Sequence, residues 1–403
     1  MERQIFQAGN LSGGLKRVVV AGHICLDIIP TFPKNVGAGE KSLVPGKLID
    51  VGPVRISTGG TVPNAGIALH RLGVPVSLMG KVGDDMWGQV VLDLLHRHDS
   101  ALAQQMIVVP GENTSYTVVI NPPDSDRIFL HYPGANDTFQ ESDLPYHRLV
   151  NAAVFHFGYP PLMRGMYADG GIQLASLLQT VKKHGLITSL DMALPDPVSP
   201  AGQADWKGLL RRVLPHVDLF IPSLEETLFM VDPERFGPMV KAGEAIARAD
   251  GALLSEIAGT LLELGAPIVA LKLGNQGLYL RTSDSPERLG FLADAPRWAG
   301  RELLAPCFKV DVAGTTGAGD CTAAGFILGL LLQFSPAETL IGAVGVGACC
   351  VEQADATSGV PPWEQVQKRI AADWAQRPVD IPLKGWQWDG TLTVWRGPRD
   401  RRD

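Results

Sequence analysis

Cysteine is scarce in this chain, with five among 403 residues. Cys25, Cys307, Cys321, Cys349 and Cys350 are odd in number and lack zinc-ligand spacing. The adjacent Cys349 and Cys350 lie in a small-residue apolar segment and are expected to pack as small hydrophobes. Cysteine usage of this kind reads as a reducing cytoplasm. Long apolar runs are missing too. The longest, around Phe326 to Leu332, is too short to span a bilayer. The opening MERQIFQAGN shows no charged-then-apolar leader pattern. Positive charge is in deficit, 35 Lys and Arg against 42 Asp and Glu, for a net charge of −7. That balance argues against sequence-independent binding of nucleic acid, which needs a basic surface. The one basic cluster, RGPRDRR at 396–402, reads as a solvated tail.

What the chain does have is glycine and proline, 45 and 30 residues, so it turns often. The glycines follow no G-X-Y period, and a 45% hydrophobic fraction can fill a sizeable core, which rules out collagen and a disordered chain. Lys16 to Ile29 carries an apolar run, RVVVAGHICLDII, expected as one buried strand. Thr61 to Leu72 is punctuated as a helix, with Thr61 as cap, a proline in the first turn and Gly73 past the end. A strand VSLMG and a helix through Trp87 to His96 follow, with Asp84 and Asp85 as its caps. SYTVVI and RIFLHY flanking NPPDSD read as a hairpin.

From residue 152 strands and helical patterns alternate. AVFHFG, LITSLD, DLFIP and PIVALKLG are the strands, with helices over 171–184, 206–213 and 237–264 and a short strand QGLYL. Helices are expected over 317–332, 336–353 and 363–375, and irregular chain after that. Strands alternating with helices imply a parallel α/β body. The expected organisation is a body over 17–375, a small β-sheet lid from 34–58 and 106–133, and a Trp-rich extension over 376–403. Trp386, Trp388 and Trp395 are too dense to stay exposed, so the tail packs on its own body or on a partner chain.

The most informative stretch is DVAGTTGAGDCTAAG, Asp311 to Gly325. Its glycines and alanines let backbone N–H groups approach an anion where a long helix begins, and the helix N-terminus adds donors and partial positive charge. Asp320 sits in that first turn. Amides around a transferring phosphate beside a carboxylate that accepts a proton suit phosphoryl transfer to a hydroxyl. A simple helix cap is the alternative reading. VGAGEKS at 36–42 is not a P-loop, because Lys41 follows Glu40 and not glycine, and GAGDCTAAG fails the GxGxxG spacing. A second constellation, Asp27, Gly59, Gly60 and Asn64, can hydrogen-bond adjacent hydroxyls while the ligand lies on backbone, which suits a polyol; a tight turn with helix caps is the bland alternative.

GGTVPNAGIALHRLG with GKVGDDMWG, and GTTGAGDCTAAGF, together resemble the two signatures of the PfkB family of carbohydrate kinases, over about residues 17–375. The resemblance implies the ribokinase-like fold, a parallel-sheet α/β body flanked by helices with a small β-sheet lid. It implies Asp320 as catalytic base and the backbone of Gly317, Ala318 and Gly319 as the anion hole. Asp27, Gly59, Gly60 and Asn64 become sugar contacts. Ser223, Lys272, Gly274, Gly277 and Thr315 become nucleotide contacts, and Glu226 is linked to magnesium. ATP and Mg2+ are the implied cofactors. Ser223 stands where the family's Asn-x-x-Glu motif has asparagine. Gly314 replaces an aspartate that helps hold a monovalent cation in some members, so potassium (K+) activation is not expected. Asp355 stands where glycine is usual and is expected to face water. His23 is expected as a satisfied core or loop histidine, and Asp191, at a strand end on the functional edge, as a possible site residue. The resulting reading is an ATP-dependent sugar kinase in the cytoplasm, with a small-molecule sugar as partner, no nucleic acid or membrane, and a homodimer through the lid or the tail. A nucleoside kinase of the same fold and a non-catalytic sugar- or nucleotide-binding homologue remain open.

Overall fold

The computed structural model describes Phe6, residues 14–32, Gly46, and residues 48–121, 128–241 and 246–401. The P-loop-like stretch at 36–42, the opening of the 34–58 segment and most of the NPPDSD turn lie outside the described residues. Strands are β1 (Arg17–Gly22), β2 (Cys25–Pro30), β3 (Val54–Gly59), β4 (Val76–Gly83), β5 (Ile107–Val109), β6 (Tyr116–Ile120), β7 (Ile128–Tyr132) and β8 (Ala152–Gly158). They continue with β9 (Ile187–Asp191), β10 (Leu219–Phe220), β11 (Ile268–Lys272), β12 (Leu278–Thr282), β13 (Glu302–Ala305), β14 (Gln387–Asp389) and β15 (Val394–Arg396). The large sheet runs β14-β15-β13-β12-β11-β10-β9-β8-β1-β4-β5, and the small one β3-β2-β6-β7. From β5 across to β11 neighbouring strands are parallel, and from β11 to β14 antiparallel. The α/β body and separate small sheet are therefore as the sequence implied.

The run expected as one strand is two. Val18 to Ala21 are fully buried in the large sheet. At Gly22 the backbone takes φ +120°, and a Cβ there would stand 2.3 Å from the Gly158 carbonyl oxygen. The chain turns out at His23 and re-enters as β2 of the small sheet, pairing with β3 and β6. A continuous apolar run hides this switch because both halves bury one face. The segment 106–133 also divides. Ile107–Val109 pairs with β4 at the edge of the large sheet, and only β6 and β7 belong to the small one.

The 237–264 helix is two helices, Pro233–Lys241 and Gly251–Leu264. Asp250 opens the second by accepting from the Leu253 amide at 2.8 Å. Asp85 caps the Met86–His98 helix through the Gly88 amide at 2.7 Å, whereas the Asp84 amide donates to the Val109 carbonyl. Helix Ala318–Leu331 is apolar all round because Thr61–Arg71 packs on one side and Pro336–Cys350 on the other. The latter approach is close: a Cβ on Gly325 would come within 2.9 Å of Ala343 Cα. All five cysteines are free, and Cys349 and Cys350 are buried.

The tail is ordered, which corrects the irregular reading. β15 adds to β13 and β14 closes the edge. Trp386 is 8% exposed, its ring 6.0 Å from that of Tyr279, whereas Trp388, also expected to be covered, is 45% exposed. Asp400 holds the buried Arg301 guanidinium at 2.8 Å. Arg396, expected in a solvated cluster, bonds Asp389 at 2.9 Å and Asp400 at 3.1 Å. Truncation after residue 376 removes this tryptophan and leaves Arg301 without its carboxylate. It is expected to lower Tm by more than about 5 °C. An unaltered melting curve would contradict this packing account.

Candidate functional site

The carboxyl ends of β8, β9 and β11 meet the N-termini of helices Thr61–Arg71 and Ala318–Leu331, the place where open parallel sheets leave a crevice. Gly317 caps the second helix at φ +75°, and a Cβ on it would stand 2.6 Å from the Ala356 carbonyl oxygen. Glycine is thus required twice, for the conformation and for the approach. The first amides of a helix lack intrahelical acceptors; here the Ala318 amide donates to the Thr315 carbonyl at 3.3 Å.

Asp320 is 1% exposed. Its Oδ2 accepts from Asn64 Nδ2 at 3.0 Å and from the Tyr159 hydroxyl at 2.8 Å. Its Oδ1 is buried and has no partner among the described residues. Burial raises the pKa of this carboxyl, while the Lys272 charge and the hydrogen bonds from Asn64 and Tyr159 pull it down. Lys272 extends from β11 and places Nζ 2.7 Å from each oxygen of the fully buried Asp191. The same Nζ lies 3.3 Å from where a Cβ on Gly319 would be, so the ammonium sits against the helix start. Burial pushes Asp191 up to about 7, against the pull of Lys272.

On the facing side, Gly60 turns into the first helix at φ +95°. Thr61 is the first helical residue and not the cap. Asp27 on β2 is half-buried beside Gly59 on β3, where a Cβ would stand 2.4 Å from its Oδ2. Cys25 Sγ donates to Asp27 Oδ1 at 3.3 Å. Burial raises Asp27 to about 6, with Cys25 and Thr117 opposing. Asp27, Asn64 and Thr315 line one cavity of about 730 Å³ between the small sheet and the loops at 313–316 and 354–358. The structure therefore brings Asp27, Gly59, Gly60, Asn64, Gly317, Gly319, Asp320 and Lys272 to one region.

Asp27 carries a pH signature. Its folded pKa exceeds that of an unfolded aspartate, so its stabilising contribution holds below the ordinary carboxylate range and is lost as pH rises through about 6. Below about 6 it is protonated and accepts from a hydroxyl poorly. A ligand hydroxyl that donates to Asp27 is expected to bind severalfold more weakly as pH falls through that value; binding that is flat from pH 5 to 8 would remove Asp27 from the site.

Other expected residues are placed differently. Ser223 and Glu226 form a reciprocal cap on helix Leu224–Val231: Ser223 Oγ accepts from the Glu226 amide at 3.1 Å, and Glu226 Oε2 from the Ser223 amide at 2.7 Å. Gly277 is buried and makes room for the Ala305 carbonyl, 2.0 Å from its would-be Cβ, so the sheet explains it. Gly274 is exposed at φ +54°. Asp355 is exposed and closes its own loop by accepting from the Thr357 and Ser358 amides at 3.0 and 2.7 Å. Among the described residues, no group of three or more His, Cys, Asp or Glu could hold a metal. The oxygens of Glu226 and Asp191 fit magnesium only as an ion carried largely by nucleotide phosphates and water. Tyr159 was missed, yet it follows β8 directly, holds φ +65° and binds Asp320. Its place just past a strand end was the available signal.

A family model described as pfkB family carbohydrate kinase matches residues 15–363. A probable chloroplastic fructokinase-6 of Arabidopsis thaliana is 25% identical over 362 residues, 88% of this chain and 82% of that protein. Among solved structures, an Arabidopsis thaliana ribokinase complexed with ribose and ATP superposes with TM-score 0.65 at 20% identity, covering 88% of this chain and 98% of that one. A Methanocaldococcus jannaschii nucleoside kinase, an archaeal member of the ribokinase family, gives TM-score 0.61 at 19% identity, covering 89% and 99%. No helix among the described residues is long and apolar enough to cross a membrane.

Proposed function

The chain belongs to the pfkB family of carbohydrate kinases, and from that premise we propose that it transfers the γ-phosphoryl group of ATP to a sugar hydroxyl, with Asp320 as base. The observation that carries this reading is the unpartnered Oδ1 of a buried carboxylate at the mouth of a helix N-terminus, with the Lys272 ammonium alongside. The acceptor hydroxyl donates to Asp320 Oδ1. Its oxygen attacks the γ-phosphorus, the bond to the β-γ bridging oxygen breaks, ADP leaves, and the proton goes to Asp320. Asn64 and Tyr159 hold the other carboxylate oxygen and so fix the base. Backbone amides at Gly317 and Gly319, together with Lys272, offset charge on the transferring group. Magnesium, where bound to the nucleotide, supplies further charge neutralisation with Glu226 and Asp191 as the nearby carboxylates.

Asp27, Gly59, Gly60 and Asn64 hold the sugar; the small sheet is its lid. Thr315 and Gly274 are assigned to the nucleotide, and Ser223 acts there through its cap on Glu226. Potassium is not required in this reading, because Gly314 offers no carboxylate for a cation; its would-be Cβ lies 3.0 Å from Ala354 Cα. The exposed Ile128, Phe129 and Leu130 of the small sheet suit a homodimer through the lid, and a monomer mass in solution at assay concentration would contradict it.

The reading is tested by ADP release with magnesium across free sugars and adenosine, in potassium and in choline salts. A free sugar is expected to release ADP, at rates within twofold in the two salts. Release with adenosine alone would make the enzyme a nucleoside kinase. Sugars that raise Tm without releasing ADP would make it a binding protein.

A further inference from the structure

Beneath the glycine turn lies a polar side chain that the mechanism does not use. His23 follows the last residue of β1 and is 2% exposed. Both ring nitrogens are buried with no hydrogen-bond partner among the described residues. That is the opposite of the satisfied core histidine the sequence suggested. Burial, reinforced by the nearby His131, lowers its pKa to about 3. The ring is therefore neutral at working pH, with one donor and one acceptor.

Its neighbours are already engaged. The His131 ring stands 5.4 Å away on β7, and its Nδ1 lies 3.0 Å from Thr117 Oγ1. The Tyr159 ring is 6.2 Å away and its hydroxyl donates to Asp320. Asn136 binds the Ile24 backbone through both its amide nitrogen and its oxygen. Buried polar atoms in folded proteins nearly always find partners, and each one left unpaired costs stability. Leucine or phenylalanine would fill this place without that cost.

The position identifies the missing partner. A Cβ on Gly60 would come within 2.5 Å of His23 Nδ1, so the imidazole lies directly against the turn that leads to Asn64. Asp27 approaches the adjoining Gly59. The ring thus stands between the sugar-facing turn and Tyr159, which touches the base. We infer that His23 is a specificity-determining residue of the acceptor site, whose ring nitrogen not packed against Gly60 meets a sugar hydroxyl. The inference rests on the sugar-kinase reading for the class of ligand.

The test compares His23→Leu and His23→Gln with the unaltered enzyme, using fructose and ribose as acceptor probes. With the sugar that is turned over, His23→Leu is expected to raise the acceptor KM at least about tenfold, as when a site built for a hydroxyl loses its hydrogen bonds. The ATP KM stays within about twofold, the sugar-induced rise in Tm shrinks, and the ligand-free Tm does not fall. His23→Gln recovers part of the acceptor affinity, because an amide still donates and accepts. Acceptor KM values within twofold in both variants, or acceptor and ATP KM rising in step, would overturn the inference. Should the leucine variant not fold, imidazole 15N resonances of the unaltered protein decide: a shift of the His23 signals on adding sugar supports it, and none overturns it. That titration reads binding and needs no turnover. Lack of ADP release with every acceptor would therefore count against the kinase reading, while the 15N signals still decide His23.

Discussion

Replacing Asp320 with asparagine is expected to lower kcat by on the order of 10³-fold or more, leaving the acceptor and ATP KM within a few fold. The substitution keeps the side chain's shape and its place in the first helical turn, but it removes the carboxylate proposed to take the hydroxyl proton. Stability should hold or improve. The native carboxylate is buried, one of its oxygens is unpaired and its pKa is raised by burial, so neutralising it relieves a desolvation cost. A variant that melts at or above the original temperature, yet turns over a thousandth as fast, separates chemistry from folding. Retention of most of the turnover would remove Asp320 as base. The raised pKa also sets the acid limb of kcat/KM. Activity should begin to fall at a pH above the ordinary carboxylate range, since the base must be ionised to act.

Lys272→Met gives the second large effect, in two parts that can be separated. Removing the ammonium beside Gly319 is expected to reduce kcat by on the order of 10²–10³-fold, as for other groups that offset transition-state charge. It also leaves Asp191 buried without its counter-ion, which costs about 3–5 kcal/mol when one partner of a buried pair is lost. Adding Asp191→Asn removes the orphaned charge. The double variant should therefore regain most of the lost stability while kcat stays low. Melting curves and steady-state rates on the three proteins check this. Recovery of turnover in the double variant would mean that Lys272 serves the fold and not the reaction.

The sequence was clearest where chemistry forces residue type and backbone together. Gly317 and Asp320 could be placed at a helix start because a cap in the left-handed region favours glycine and a first helical turn favours a carboxylate. The alternation after residue 152 revealed the parallel body for a similar reason, since each strand must be covered by a helix. The β1–β2 switch escaped because apolar content continues through it, and only Gly22 marks the turn. The tail strands escaped because β14 and β15 have three residues each and gain their stability from an existing sheet edge. Glu226 also has a local role that its spacing announces: it reciprocates the Ser223 cap, a bond that serine and glutamate three apart make readily. Asp191 and Lys272 are 81 residues apart, and only the parallel order of β9, β10 and β11 brings them together. His23 is a case of position outweighing residue type, for its unsatisfied ring could be seen only once every neighbour's hydrogen bonds were assigned.

The most direct measurement follows the phosphoryl group itself. ATP labelled at the γ-phosphate is incubated with the enzyme, magnesium and the sugar that releases most ADP, and the products are separated. The account predicts one label on the sugar for each ADP formed, with Asp320→Asn abolishing both. Label appearing as inorganic phosphate, or remaining on ATP while the sugar still raises Tm, would contradict it.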